Sequence, residues 1–415
     1  MIKLTRLAEE PFRLFFPLGL LASAIGVLLW PAVFAGWIDY YPLEAHARWM
    51  VIGLGGCFIT GFLGTAGPRL LGTRPFHRAE LLLHLALSLA VMVALGVNRI
   101  TTADGLTGIW LISLLASLLG RFLFARQDVP PPGLPLAVLG IAGAATAAII
   151  LGLGIPTSLA VHQFLRLLYF QGFLWLPILG VAPYLLPRFF GKPSPHSFDE
   201  SLTIPAGWMR PFLESLAAGL LLIASFALEA WGHGRAGHIL RAVVVTLHLA
   251  RSVPGLFAWG KVNGLGLAVR WVVPCAAGGW LLAVAFPHLR VGGLHLMFIG
   301  GAGLLMLAAA TRVILGHNNR HDRLSSPLRW CHALWAMVLF TAATRLTSEF
   351  IPKVRVSHFI YAALMWLFVL LFWSWKLRRE LRQPVFEEGV LKSRCPRKRK
   401  SLERAGRPPT DPSRC

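Results

Sequence analysis

The stretch Leu294–Arg320, LHLMFIGGAGLLMLAAATRVILGHNNR, is almost wholly apolar and carries a histidine near each end. His295 and His317 are 22 residues apart. At ~1.5 Å per residue, this separation is about 33 Å along an α-helix, close to the thickness of a bilayer's hydrocarbon core. The stretch therefore predicts a membrane-spanning helix with one histidine near each membrane surface, so that the two histidines act at separate places.

The rest of the chain also has the composition of an integral membrane protein. Of its 415 residues, 56% are hydrophobic and only 14% are charged, which excludes an ordinary soluble globular domain. The pattern predicts an all-α transmembrane bundle of about twelve helices, formed by residues 1–375, with loops too short to hold a globular domain. The predicted spans are 12–37, 49–68, 79–97, 105–124, 134–155, 164–187, 205–230, 236–259, 268–287, 293–315, 328–349 and 357–375.

The formal net charge of +22 is explained by membrane topology. The charges lie in short loops and in one tail, so no nucleic-acid partner is predicted. Lys and Arg are enriched at the N-terminus and in the even-numbered loops, which by the positive-inside rule places both termini in the cytoplasm. Residues 376–415 are basic and predicted to be a disordered cytoplasmic tail, either merely solvated or attracted to anionic lipid headgroups.

Histidines at the helix ends are the first candidate functional residues. Five lie near the predicted outer ends of five different spans: His46, His162, His238, His295 and His358. Neutral imidazole is a common ligand of haem iron and copper, and an imidazole inside a membrane is unfavourable unless it is paired or bound. A single such histidine is explained by a hydrogen bond at the interface, whereas the outer set together favours a haem or metal site.

Arginines within the spans are the second candidates, because each needs a partner. They are Arg166, Arg241, Arg251 and Arg345, and the main carboxylates near their depth are Glu214, Glu229 and Glu349. Haem propionates or an anionic substrate would supply further negative charge, although Arg166 and Arg345 lie near helix ends and could reach the interface. No phosphate-binding glycine loop, nucleophile elbow or HExxH motif occurs in the sequence, so ATP hydrolysis and common hydrolase chemistry have no support.

Several stretches resemble the NnrS family, bacterial polytopic membrane proteins associated with haem, copper and nitric-oxide stress. PFRLFFPLGLLAS from Pro11, HARWM from His46 and GFLGTAGPRLLG from Gly61 are similar to the family's PFR opening, its HxHEM stretch and its GFLLTAxPNWTG stretch. LHLMFIGGAG from Leu294 and TRVILGHNNR from Thr311 resemble its LHALTVGAIG and TRxxLGHTGR motifs. The resemblance extends over most of the membrane region and does not include the tail.

The resemblance implies a haem or copper cofactor with His46, His295 and His317 as metal ligands and with Arg312 in the cofactor-binding set. His46 and His295 are expected to share one outer-side cofactor, and His317 to act separately on the inner side. Two departures from the family pattern bear on this site. Arg48 and Trp49 stand where the second histidine and the glutamate of HxHEM belong, and Pro274 and Cys275 stand near the position of a further histidine. A cation at Arg48 would disfavour a metal cation at His46 unless an anion neutralised it.

The sequence thus predicts an NnrS-like multi-pass protein of the bacterial inner membrane that binds haem, copper or both and acts in the response to nitric oxide or related stress. Two alternatives stay open. One is a transporter whose buried Arg and His line a polar path, and the other is a structural paralogue without a cofactor. Bound pigment would favour the first prediction, and whether the protein catalyses a reaction is left open.

Overall fold

Twelve long helices form the bundle in the computed structural model, which describes residues 4–258 and 260–382. They are α1 (Phe12–Phe34), α2 (Leu43–Leu70), α3 (Arg78–Gly96), α4 (Ile100–Phe124), α5 (Pro135–Gly152), α6 (Leu159–Phe190), α7 (Met209–Ala230), α8 (Gly234–Ser252), α9 (Gly264–Ala285), α10 (Pro287–His317), α11 (Arg329–Phe350) and α12 (Pro352–Arg382). Two short helices are also present. Leu4–Glu9 precedes α1, and His321–Ser325 follows α10. The described residues contain no β-strand, so the predicted all-α fold is confirmed.

Each of the twelve predicted spans forms a helix, with ends that differ from the prediction by several residues. Ten of the helices are long and apolar enough to cross a membrane. The other two, α8 and α11, are 19 and 22 residues long but contain more charged and polar side chains. The chain is a multi-pass membrane protein whose spans include helices with polar faces turned into the bundle.

The predicted boundary between the membrane domain and the tail falls inside α12. This helix continues to Arg382, and Leu377 and Glu380 in its last turns are buried against the bundle. Residues 376–382 are therefore helical and packed instead of forming the start of a tail. The remainder of the predicted tail, 383–415, lies outside the described residues.

The first and last long helices pack against each other over their whole length. Near one end, Nη1 of Arg13 donates to the carbonyl oxygen of Glu380 at 2.8 Å. In the middle, the indole N–H of Trp366 donates to Ser23 at 2.8 Å, and near the other end the Trp30 and Phe359 ring centroids are 5.0 Å apart. We call the end of the bundle that contains Arg13 and Glu380 the terminal end. The opposite end, at Trp30 and Phe359, encloses a cavity, and we call it the cavity end.

Three helices contain π-helical segments, in which the backbone hydrogen bonds span one residue more than in an α-helix. They are Trp49–Gly56 in α2, Leu168–Gly172 in α6 and Leu296–Gly303 in α10. Such segments are rare and frequently occur at functional sites. Each of them follows closely after a histidine at the cavity end, namely His46, His162 or His295.

Glycines let these helices approach their neighbours closely. A methyl group placed on Gly279 of α9 would overlap the carbonyl oxygen of Gly293 in α10, and one on Gly293 would overlap the carbonyl oxygen of Gly279. The small residues of α2 predict close packing in the same way, and 78% of the residues in its most apolar 18-residue stretch are buried. This share is the highest among the ten apolar spans, so α2 is a central helix of the bundle.

Candidate cofactor site

A cavity of about 610 Å³ lies at the cavity end, between the first turns of α2, α6 and α10 and parts of α1, α11 and α12. Its volume falls within the ~300–1,000 Å³ typical of ligand and cofactor pockets. Most of its wall is apolar, with the rings of Trp30, Phe170, Phe298 and Trp366 among the lining groups. Its basic side chains are three histidines and three arginines: His46, His162, His295, Arg166, Arg290 and Arg345.

His46 and His295 face each other across this cavity. Their ring centroids are 6.2 Å apart and their planes are inclined by only 20°. Nδ1 of His46 lies 2.9 Å from the carbonyl oxygen of Gly26, and Nδ1 of His295 lies 2.8 Å from that of Val291. A carbonyl oxygen only accepts, so in the neutral ring Nδ1 carries the proton and Nε2 keeps its lone pair. Both imidazoles are held in the tautomer that binds a metal through Nε2.

The two lone pairs have no protein partner. Among the described residues, Nε2 of His46 and Nε2 of His295 form no hydrogen bond. The two rings lie 6.2 Å apart in one cavity wall, close enough for both nitrogens to contact a single cofactor. The described part of the chain holds no group of three or more His, Cys, Asp or Glu that could bind a metal ion. Two imidazoles with free Nε2 atoms would fit haem iron, one of the two cofactors that the resemblance implies.

Each arginine of the cavity wall is paired with a glutamate that lies behind it. The closest N–O distances are 2.7 Å for Arg166 and Glu44, 2.6 Å for Arg290 and Glu229, and 2.8 Å for Arg345 and Glu349. None of these three glutamates belongs to the cavity wall. The pairs hold the guanidinium groups in place, while the surface presented to a ligand is cationic and suits carboxylate or phosphate groups.

Arg48, which occupies the altered HxHEM position, lies outside the cavity wall. It is 4% exposed and donates to both carboxylate oxygens of Asp104, at 2.7 and 2.6 Å, and to Glu44 at 2.6 Å. The hydroxyl of Tyr169 donates to the same Asp104 at 2.9 Å. Two carboxylates therefore neutralise Arg48, which removes the expected conflict between its charge and a metal bound by His46. Sequence reasoning missed Asp104 because it is 56 residues away from Arg48.

His317 lies at the terminal end, at the opposite end of α10 from His295. Its Nδ1 is 2.8 Å from Glu10, and Arg69 approaches the same nitrogen at 3.0 Å. Burial alone would raise the pKa of Glu10, but the hydrogen bond with His317 and the positive charge of Arg13 hold that pKa below its ordinary value. The structure thus places His317 in an ionic cluster, and its role as a metal ligand stays a prediction.

The remaining candidate residues are distributed over several places. Arg312 lies near the terminal end, with its guanidinium 5.2 Å from the centroid of the Phe189 ring, and is not part of the cavity wall. His238 lies 3.8 Å from Glu229, and His358 contacts the carbonyl oxygen of Val354 at 3.0 Å outside the cavity wall. Of the five histidines predicted at one membrane surface, three therefore line the cavity, and two of these form the close pair.

The family model described as NnrS protein matches residues 6–384 of the chain. This range contains every residue of the cavity wall, both histidines of the close pair and the ionic cluster at the terminal end. No curated protein matches the chain.

Proposed function

Because the chain belongs to the NnrS protein family, we propose that it is a bacterial inner-membrane protein that binds haem through His46 and His295 and acts in the response to nitric oxide or related stress. The observation that carries this proposal is the pair of imidazoles with free Nε2 lone pairs in one cavity. The link to nitric oxide and to haem comes from the family resemblance, and the two imidazoles with free Nε2 atoms would fit haem iron.

The cavity's side chains would divide the work of holding the cofactor. His46 and His295 would bind the iron, the aromatic wall would enclose the apolar ring system, and Arg166, Arg290 and Arg345 would bind the propionates. A bound haem supplies an iron centre for binding or electron transfer. The backbone carbonyls of Gly26 and Val291 orient the two ligands, since each fixes the tautomer and the rotation of its ring.

The test is an absorption spectrum with metal analysis of the purified full-length protein. We expect a haem spectrum with stoichiometric iron, and we expect His46→Ala and His295→Ala each to lose haem or shift its spectrum. His358→Ala is the matched control, because His358 lies at the same end and contacts a backbone carbonyl in the same way but does not line the cavity. Unchanged haem content in both cavity variants would show that these histidines are only hydrogen-bonding residues. Copper without haem would assign the site to the other cofactor that the resemblance implies.

The cationic wall also favours a second candidate function, the handling of an anionic solute. Three arginines present positive charge to a cavity whose wall contains no carboxylate. A colourless, metal-free preparation whose thermal stability rises on addition of a small carboxylate or phosphate anion would support this candidate over the haem protein. Arg345→Gln should then abolish the stabilisation by the anion.

A further inference from the structure

Three arginines at the terminal end stack on aromatic rings of one short stretch of α6. They come from different helices, with Arg188 in α6, Arg270 in α9 and Arg312 in α10. Each guanidinium carbon lies over one ring: Arg188 is 4.3 Å from the Tyr184 centroid, Arg312 is 5.2 Å from Phe189, and Arg270 is 5.9 Å from Phe190. The stretch thus gathers three positive charges on one side of the bundle, far from the cavity.

Among the buried and half-buried arginines of the described spans, only Arg188, Arg312 and Arg270 have no acidic partner. Neither Arg188 nor Arg312 forms a hydrogen bond or an ion pair with any residue in the part of the chain that the structure describes. Both are half-buried, and their charges are close enough to act on each other. By contrast, a carboxylate pairs with each of these arginines: Arg13, Arg48, Arg121, Arg166, Arg241 and Arg345.

The third arginine of the group also has an unsatisfied donor. Arg270 donates to the backbone carbonyl oxygens of Ala258 and Gly260, but its buried Nε has no hydrogen-bond partner among the described residues. Like charges at the edge of an apolar bundle, together with an unsatisfied donor, are unfavourable unless an anion approaches them. The arrangement is therefore incomplete without a negatively charged group from outside the described residues.

We propose that Arg188 and Arg312 bind the phosphate of an anionic phospholipid headgroup, with Arg270 beside it. Arg188 lies in the last turn of α6 and Arg312 lies five residues before the end of α10, which places both where an apolar helix leaves the hydrocarbon core. Guanidinium groups bind phosphate oxygens with paired N–H donors, and stacking on a ring leaves those N–H edges free. The site lies at the opposite end of the bundle from the cofactor cavity.

Native mass spectrometry of the full-length protein in detergent can count bound lipid during titration with phosphatidylglycerol. The double variant Arg188→Gln/Arg312→Gln should bind the tightest phosphatidylglycerol at least about tenfold more weakly, because two charge-assisted contacts are lost. The matched control is Arg78→Gln/Arg126→Gln, which removes two charges from the same end of the bundle but leaves the stacked group intact. Its affinity for the lipid should equal that of the unmodified protein.

Three results would contradict the proposal. The first is equal retention of phosphatidylglycerol by the glutamine variant and the unmodified protein. The second is equally tight binding of dioleoylglycerol, which has no phosphate. The third is stabilisation by inorganic phosphate without retention of the lipid, which would make the ligand a free anion. If the glutamine variant does not fold, Arg188→Lys/Arg312→Lys decides the matter. That variant keeps the charge but loses the planar donors, so an unchanged affinity would also refute the assignment.

Discussion

Buried arginines in this bundle are stabilised by specific oxygen atoms, and the Arg48–Asp104 pair is the clearest case. Both side chains are almost fully buried, and two N–H···O bonds join them. Removing one member of such a pair leaves an uncompensated charge inside the protein. The pair joins α2 to α4, and Tyr169 of α6 donates to the same Asp104, so its integrity also supports the two helices that carry His46 and Arg166.

Asp104→Ala should therefore destabilise the protein by about 3–5 kcal/mol, since Arg48 keeps only Glu44 and the Tyr169 hydroxyl loses its acceptor. Glu214→Ala is the control, because Glu214 pairs with two exposed arginines and should cost less than about 1 kcal/mol. Chemical denaturation of both variants in detergent measures the difference. A loss for Asp104→Ala no larger than that of the control would mean that the buried pair adds nothing to stability.

His196, in the segment between α6 and α7, provides a pH-dependent prediction. Burial, assisted by the charge of His248, lowers the pKa of His196 from 6.5 to about 4. Between these two pH values the unfolded chain binds a proton that the folded chain does not, so stability falls as the pH decreases through this window. The loss should reach on the order of 3 kcal/mol at its lower end. His196→Gln does not titrate, so its unfolding free energy should fall less between pH 7 and pH 4, and parallel curves would refute this assignment.

Among single residues, the prediction from sequence was most successful for those that lie in a stretch resembling a family motif. His46 and His295 were selected together, and the structure brings their rings to 6.2 Å, although their cofactor stays a prediction. Of the three carboxylates behind the cavity arginines, Glu229 and Glu349 were named from the sequence without their partners, and Glu44 was missed. Arg166 and Glu44 are 122 residues apart, and Arg290 and Glu229 are 61 apart, so only the folded bundle shows that they are partners.

At the level of single helices, the contact between α9 and α10 depends on the absence of side chains at Gly279 and Gly293. A methyl group at either position meets backbone atoms of the other helix, which cannot rotate away. Because His295 follows Gly293 by two residues, this contact also sets the position of one predicted ligand.

Gly279→Ala should therefore cost roughly 2–3 kcal/mol and reduce the cofactor content, since the start of α10 must move away. Gly278→Ala is the matched control one residue earlier, where the nearest atom to the new methyl group, Cδ2 of Leu296, lies 3.8 Å away. That variant should be neutral or stabilised by up to about 1 kcal/mol through its higher helix propensity. Thermal unfolding and absorption spectra of the two variants make the comparison, and equal behaviour would show that the contact can relax.

The sequence predicted the existence of all twelve helices, ten of which are long apolar runs, but it could not predict two of their local features. The π-helical segments change the hydrogen-bond register without changing composition, so they leave no pattern in the sequence. The end of α12 was placed too early because basic residues follow residue 375. In the structure Lys376 and Arg378 lie over the ring of Trp375, at 4.4 and 5.2 Å from its centroid, while Leu377 and Glu380 turn inward.

For the molecule as a whole, orientation in the membrane follows from the distribution of Lys and Arg. The terminal end contains the start of α1, the end of α12 and the connections that follow α6 and α10. Arg188 in the last turn of α6, Lys192, Arg320 and Arg323 all lie there. By the positive-inside rule we expect this end to face the cytoplasm and the cavity end to face the periplasm.

Reporter fusions test this orientation. A periplasm-specific reporter inserted after Phe286, between α9 and α10, should be active, whereas one fused after Arg382 should be inactive. A fusion after Lys192 serves as a control, since it should behave like the fusion after Arg382. The reverse pattern would place the cavity on the cytoplasmic side and exclude a periplasmic cofactor at His46 and His295.

The contact between α1 and α12, which we call the seam, has a consequence for biosynthesis. Arg13 and Glu380, which close it, are 367 residues apart in the chain. At a synthesis rate of about 5–20 residues per second, the helix that covers α1 leaves the ribosome roughly 20–70 s after α1 does. During that interval the polar groups of α1 that α12 satisfies have no partner from this seam. In a chain that stops before Pro352, these polar groups of α1 never gain their partners in α12. We therefore expect membrane proteases to degrade such fragments much faster than the full-length protein in a pulse-chase experiment.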